Sequence, residues 1–415
     1  MPTPRTDFEN WVDDAVSTTS VFDLHTHLYP PAFGALMLWG IDELLTYHYL
    51  IGESIRASGI AYDAFWAMDK PAQADFIWRT LFVERAPLSE ACRGVVTVLR
   101  RLGLEPRSTG LAGFRDFFRS QTAVGYTDRV FKLANVHTLV MTNDPLDRAE
   151  HDLWLGKHDR DRRFRAALRI DPLLLGWPTV AGRLRDLRCD ASPDLGGRTM
   201  AEIRKFLGEW IELMQAAYVA VSLPPDWKYP EDSPATRVID QAVLPVCRER
   251  NLPFAVMIGV TRQANPALRM AGDSIGKADL SSLHRLCASN PRNKIMATVL
   301  SRENQHELAV AGRLHPNLFV FGCWWYLNNP SLIEEITNMR VELLGTEFAP
   351  QHSDARILDQ LIYKWDHSRR SIAKVLKEKF TDLGESGWPL TREEVQRTVR
   401  GYLSDNFERF LTRTI

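Results

Sequence analysis

Eight short apolar runs recur along the 415-residue chain, and the stretches between them carry helical periodicity. The runs read VFDLHTH (21–27), HTLVMTND (137–144), RAALRID (165–171), AAYVAVSL (216–223), PFAVMIGV (253–260), KIMATVLS (294–301), NLFVFGCWW (317–325) and VELLGTEF (341–348). Most are nearly continuous in apolar residues rather than alternating, the pattern of parallel strands buried on both faces. Parallel neighbours need crossovers, and MAEIRKFLGEWIELMQ (200–215), VIDQAVLPVCRER (238–250) and ENQHELAVAGRL (303–314) have the periodicity of helices. Thr199 is the expected N-cap of the first, and Pro245 should kink or shorten the second. Eight strand–helix alternations predict an α/β chain closed as a (β/α)₈ barrel. The competing open doubly wound sheet usually carries GxGxxG after its first strand, and that fingerprint is missing here.

No repeat, low-complexity tract or linker divides the chain, so residues 1–415 read as a single barrel domain. Residues 30–135 are too many for a barrel loop and are rich in helical pattern (DELLTYHYLIGESIRA, QADFIWRTLFV, SEACRGVVTVLRRLG). They read as a helical insertion after strand 1, placed to cover the C-terminal mouth where barrel active sites form. TREEVQRTVRGYLSDNFERFLTR near the end reads as a closing helix, with Thr391 and Glu394 spaced as a capping box.

The 51 basic and 52 acidic residues leave a formal net charge of −1, which gives no global electrostatic case for nucleic acid or an anionic membrane. Cys92, Cys189, Cys247, Cys287 and Cys323 are scattered, odd in number and without a CxxC pair. That suits neither a disulfide framework nor a thiolate zinc site, and fits a reducing cytoplasm. MPTPRTDFENWVDD carries acids where a signal peptide needs a basic start, and no run approaches the roughly 20 apolar residues of a membrane span. The expected partner is a small molecule, and homo-oligomerisation is left open.

His25-Thr26-His27 is the sharpest local signal, because residues two apart on a strand face the same way and two imidazoles can then converge on one ion. The plainer alternative is one buried, hydrogen-bonded histidine and one exposed. Asp354, in APQHSDARI, follows the eighth run, so a closed barrel returns it to the mouth beside strand 1. It could ligate the ion and shuttle protons, or simply cap the following helix. Arg356 is suited to an oxyanion, or to an ion pair with Asp354 or Asp359. His48-Tyr49 lies in the insertion, where Tyr49 is a candidate proton donor and packing is the competing role. Arg169 ends the third run facing the mouth, with a local ion pair to Asp171 as its alternative. Trp324-Trp325 closes the seventh run, one ring suited to the core and the other to a pocket floor.

Taken together, these residues resemble uronate isomerase, the glucuronate/galacturonate isomerase branch of the amidohydrolase superfamily. The likeness runs in order through FDLHTHLYPP, HY, TNDPLD, LRIDP, IGVTRQANPALRMAGD, FGCWWYLNN, SDAR and SDNFERF. It implies a distorted (β/α)₈ barrel that interconverts aldose and ketose sugar acids, glucuronate with fructuronate for example. By the resemblance, His25, His27 and Asp354 would hold one divalent metal, commonly zinc. His48 and Tyr49 would bind substrate and move protons, and Arg356 would sit beside the enediol. Arg169 resembles the arginine that contacts the sugar acid, Trp324 or Trp325 the pocket tryptophan, and Arg262 in GVTRQAN another position near the site.

Two positions depart from the family pattern. Met257 stands where typical members have a histidine before IG, and Ser222-Leu223-Pro224-Pro225 replaces a Ser-Asp-His-Gly stretch. A thioether is a poor zinc ligand beside hard donors, so the implied metal set is two histidines and one aspartate, with water completing a catalytic site. Metal-dependent hydrolysis of a lactone, ester or amide is the competing chemistry on this barrel, and non-catalytic sugar-acid binding a third.

Overall fold

The computed structural model describes residues 5–156 and 159–415, with side chains from residue 8 onward in the first stretch. Seven of the eight runs form strands. They are β1 (Val21–Thr26), β2 (Val136–Asn143), β3 (Phe164–Arg169), β4 (Val219–Leu223) and β5 (Phe254–Ile258). A small antiparallel pair follows, β6 (Val260–Thr261) with β7 (Ser274–Ile275), then β8 (Ile295–Val299) and β9 (Leu318–Val320). The seven longer strands make one parallel sheet in the order β1-β2-β3-β4-β5-β8-β9, so each main-sheet pair is joined by a crossover.

Along β5, Phe254, Val256 and Ile258 face the surrounding helices, whereas Ala255 and Met257 join Phe22, Leu24, Tyr218 and Met296 inside the ring. Both sets are buried, which is why the sequence does not alternate. Phe407 and Phe410, from the C-terminal helix Asn406–Thr412, belong to the inner cluster, and the Phe319 ring stacks 4.9 Å from Phe410.

The eighth expected strand does not form as drawn. Val341–Leu344 complete the Pro330–Leu344 helix, which ends at Gly345 with φ 61°. Its place in the ring is taken by the irregular segment 349–355. Gly322 N donates to Ala349 O at 2.8 Å on one side, and on the other His27 N donates to Ala355 O at 2.7 Å. The sheet therefore curls until its first and last members share one short segment. Pro350, which has no N–H, and the left-handed backbone of Asp354 (φ 51°) keep that segment from forming a regular ladder.

Two helix details also differ from expectation. Thr199 is the first helical residue rather than the cap of Thr199–Met214; its hydroxyl accepts from Ser192 N and donates to Gly196 O. Around Pro245 the helix persists, but a wide turn at Ile239–Val243 precedes the Leu244–Glu249 segment, absorbing the missing donor. The Thr391–Glu394 capping box forms as expected.

Between β1 and β2 the chain is helical, including His48–Ser58, Tyr62–Trp66, Glu90–Arg101 and Ala123–Ala134. Glu90–Arg101 packs on the long Gln360–Glu385 helix so closely that a Cβ on Gly94 would lie 2.7 Å from the Tyr363 ring. The same region reaches the β6–β7 connection, where Trp66 Nε1 donates to Ala267 O at 2.9 Å and Asn265 Nδ2 to Tyr62 Oη at 3.2 Å.

Candidate active site

The ring closure brings residues from opposite ends of the sequence together. His25 Nε2 and His27 Nε2 lie 3.8 and 3.3 Å from the same atom, Asp354 Oδ1. His25 and Asp354 are buried, and His27 keeps about a fifth of its side chain exposed. Oδ1 is buried yet has no hydrogen-bond donor, even with His27 so near. One ligand atom from each of the three residues lies within 4.8 Å of the others. A tetrahedral site with bonds of about 2.0–2.1 Å has edges of about 3.3 Å, so these spacings and this orphaned oxygen fit a divalent metal.

The protonation states fit as well. Burial, then the neighbouring His27 and His352, hold His25 well below its usual pKa; burial likewise depresses His27 against the pull of Asp354. Burial would raise Asp354, but the His27 imidazole, Lys364 and His25 outweigh it and keep the carboxyl below its ordinary range. Two neutral imidazoles and a carboxylate are the forms a cation binds.

The strained Asp354 backbone is clamped on both sides. Ser353 N donates to Asp23 Oδ1 at 3.1 Å, and the buried Lys364 ammonium donates to Ser353 O at 2.6 Å. Asp354 N itself donates to His25 O at 3.1 Å.

Above this group lies a cavity of about 140 Å³. His27 and Asp354 line it, together with Tyr47, His48, Arg169, Ser222, Arg262, Met270, Asp273, Trp324, Trp325 and Arg356. Arg169 is bonded through two nitrogens to Asp171, at 2.8 and 2.9 Å. Burial opposes its charge, but Asp171 more than compensates and keeps the guanidinium protonated. The local ion pair and the place at the mouth therefore coexist. Arg262 pairs with Asp273 at 2.5 Å while most of its side chain stays exposed. The Arg356 guanidinium makes no ion pair or hydrogen bond to any described residue; Asp359 instead accepts from Tyr126 Oη and Gly40 N.

His48 Nε2 accepts a 2.7 Å hydrogen bond from Trp325 Nε1, and burial beside Arg356 pushes its pKa down to about 3, so its ring is neutral. Tyr49 is not among the cavity-lining residues. It enters the helix one position after His48, where the chain has turned by about 100°, and its ring packs 4.1 Å from His48 and 5.7 Å from that of Tyr326. Tyr47, on the other side of His48, takes the wall. Burial and the neighbouring Tyr47 raise the Tyr49 phenol well above its usual value, and it stays protonated. Both tryptophans line the cavity, Trp324 while remaining part of the inner cluster. Met257 is buried inside the ring and does not line the cavity, whereas Ser222 does.

The structure of a uronate isomerase from Bacillus halodurans C-125 is 48% identical to this chain and superposes with a TM-score of 0.97, over 99% of this chain and 98% of the other. The chain belongs to the uronate isomerase family. A uronate isomerase from Thermotoga maritima (16% identity, TM-score 0.79, 97% of both chains) has the same fold. So does a glucuronate isomerase from Caulobacter crescentus (14%, TM-score 0.76, 98% and 95%). No family model matches the sequence, nor does any curated protein.

For a uronate isomerase family member of this sequence, several site residues carried no local signal. Tyr47 and Asp273 line the cavity through loop placement alone. His352 is fully buried with neither ring nitrogen partnered, its ring 5.3 Å from that of His25. It fits only because residue 322 is glycine: a Cβ there would lie 1.7 Å from His352 Nδ1. Tyr218 and Thr142 contact the outer nitrogens of His25 and His27. Among the described residues, no helix is long and apolar enough to cross a membrane.

Proposed function

We propose that the protein interconverts an open-chain aldose hexuronate and its ketose, of the glucuronate–fructuronate type, by proton transfer through a cis-enediol. The observation that carries this reading is that Arg356, unpaired among the described residues, lines one small cavity together with the Asp354 carboxylate and the His27 imidazole, with His25 behind them.

His25, His27 and Asp354 would hold a single divalent metal, zinc by the N₂O ligand set; bound there it supplies a positive charge beside the sugar oxygens. Asp354 removes the C2 proton, and the proton is delivered at C1, converting the aldehyde to a primary alcohol and C2 to a ketone. Arg356 stabilises the charge that develops on the enediol oxygens, where a fixed guanidinium lowers the barrier most. Neutral His48 orients the sugar, with the Tyr49 ring packed behind it, and Tyr47, whose phenol lines the cavity and is kept protonated by burial, relays the hydroxyl proton from O2 to O1. Arg169 and Arg262 hold the substrate carboxylate and hydroxyls, and Trp324 and Trp325 form the apolar wall.

Residues 30–135 act as an insertion into a single barrel domain and cover its mouth, through the contacts of Trp66 and Tyr62 with the 265–267 segment. The five unpaired cysteines suit a reducing cytoplasm. The reading is tested by incubating metal-replete protein with D-glucuronate and D-galacturonate and following the products by NMR. A ketose with solvent deuterium at C1 is expected, and deuterium at C2 of the recovered aldose; solvent ¹⁸O in the product would mark a hydrolase instead.

A further inference from the structure

Each metal-site imidazole is tied at its outer nitrogen to a hydroxyl that also reaches a β1 carbonyl, a group that can only accept. Tyr218 Oη donates to Leu24 O at 2.9 Å and lies 3.0 Å from His25 Nδ1. Thr142 Oγ1 donates to Thr26 O at 3.2 Å and lies 2.7 Å from His27 Nδ1. The two arrangements repeat along β1: a hydroxyl bridges the carbonyl of one residue and the imidazole of the next. Tyr218 stands just before β4 and Thr142 within β2, and both are buried.

A hydroxyl has one hydrogen and two lone pairs. With that hydrogen on the β1 carbonyl, the oxygen can only accept from the imidazole, so Nδ1 must carry the ring proton. A neutral ring has one such proton, and Nε2 is left with a bare lone pair. On both histidines Nε2 is the atom that faces Asp354 Oδ1.

We propose that Tyr218 and Thr142 are positioning residues that fix His25 and His27 as Nδ1–H tautomers, presenting two Nε2 lone pairs to the cation before it arrives. The inference rests on the metal site of the proposed function but concerns the chain's own proton arrangement. Without the hydroxyls each ring is free to carry its proton on Nε2, and binding must then first move it. Outer partners of metal-ligating histidines contribute about 10–100-fold in affinity by such orientation.

The test uses the intact chain, freed of metal and titrated with Zn²⁺ against a competing chelator, as wild type and as Thr142→Val, Thr142→Ser and Tyr218→Phe. Thr142→Val and Tyr218→Phe are each expected to weaken zinc binding about 10–100-fold, while Thr142→Ser, which keeps the hydroxyl, retains wild-type affinity. Two-bond ¹H–¹⁵N spectra of the metal-free protein are expected to show both rings as Nδ1–H in wild type. In Thr142→Val the His27 pattern alone should change, which a merely structural role would not produce. An Nε2–H tautomer at either histidine of the wild type overturns the proposal, as does wild-type zinc affinity in both hydroxyl-deleted variants. If Tyr218→Phe does not fold, the Thr142 pair decides. If the wild type takes up no zinc, the metal reading fails by itself and the tautomer spectra decide this one.

Discussion

The backbone N–H of Asp354 donates to the carbonyl of His25 across 3.1 Å, joining residues 329 positions apart in the chain. The carboxylate thus reaches the imidazoles because the main chain closes the ring there. The same contact explains why Asp354 tolerates a left-handed backbone: Ser353 is bonded on both faces and Asp354 has little freedom to relax.

Removing the carboxylate charge while keeping its shape isolates its role. Asp354→Asn should lower kcat by about 10²–10⁴-fold, the range for loss of a positioned base. Steady-state assay with the hexuronate that turns over best, beside circular dichroism to confirm folding, checks it. Activity within tenfold of wild type would remove Asp354 from the chemistry.

Among the described residues Arg356 has no carboxylate partner to lose, so its substitution tests catalysis with little structural cost. Arg356→Met should reduce kcat about 10²–10³-fold, the usual loss for a group that stabilises developing negative charge, and leave the melting temperature near wild type. A fall in melting temperature with kcat preserved would make the arginine structural.

Gly322 has φ 66°, and its missing Cβ is the space His352 occupies. Gly322→Ala should cost about 2–4 kcal/mol, combining left-handed strain with overpacking, as read from urea unfolding. Adding His352→Ala should recover the overpacking part. Wild-type stability in the single variant would mean that the segment 349–355 moves freely, against the clamped geometry.

The Lys294 ammonium donates to Leu411 O and Arg413 O, fastening the C-terminal helix, and burial pushes its pKa down to about 8 from an ordinary 10.5. Between those values the unfolded chain holds the proton and the native chain does not, so this group's contribution to stability rises with pH across that window. Relative to Lys294→Met, the wild type should therefore gain stability between pH 8 and 10. A constant difference across that interval would contradict the shift.

The fold was legible where burial leaves a compositional mark. Strands such as β5, apolar at every position, and β8, apolar but for Thr298, announce themselves, as do the first-strand histidines two residues apart. The eighth strand is not legible, because VELLGTEF has apolar residues that serve a helix end equally well, while the segment that closes the ring, APQHSDA, is polar and irregular. The place of Asp354 at the mouth is legible all the same, since it follows from ring closure. Tyr47, Asp273, Tyr218 and Thr142 are not legible for a different reason. Their functions depend on which atom each hydroxyl or carboxylate meets across the barrel, and neighbours in sequence do not encode that.

The proposed chemistry requires one cation shared by His25, His27 and Asp354, and metal analysis after exhaustive dialysis tests that most directly. Wild-type protein should retain close to one divalent ion per chain, and His27→Ala and Asp354→Ala should retain almost none while remaining folded. Metal-free wild-type protein that still isomerises a hexuronate, or variants that keep the full complement, would contradict it.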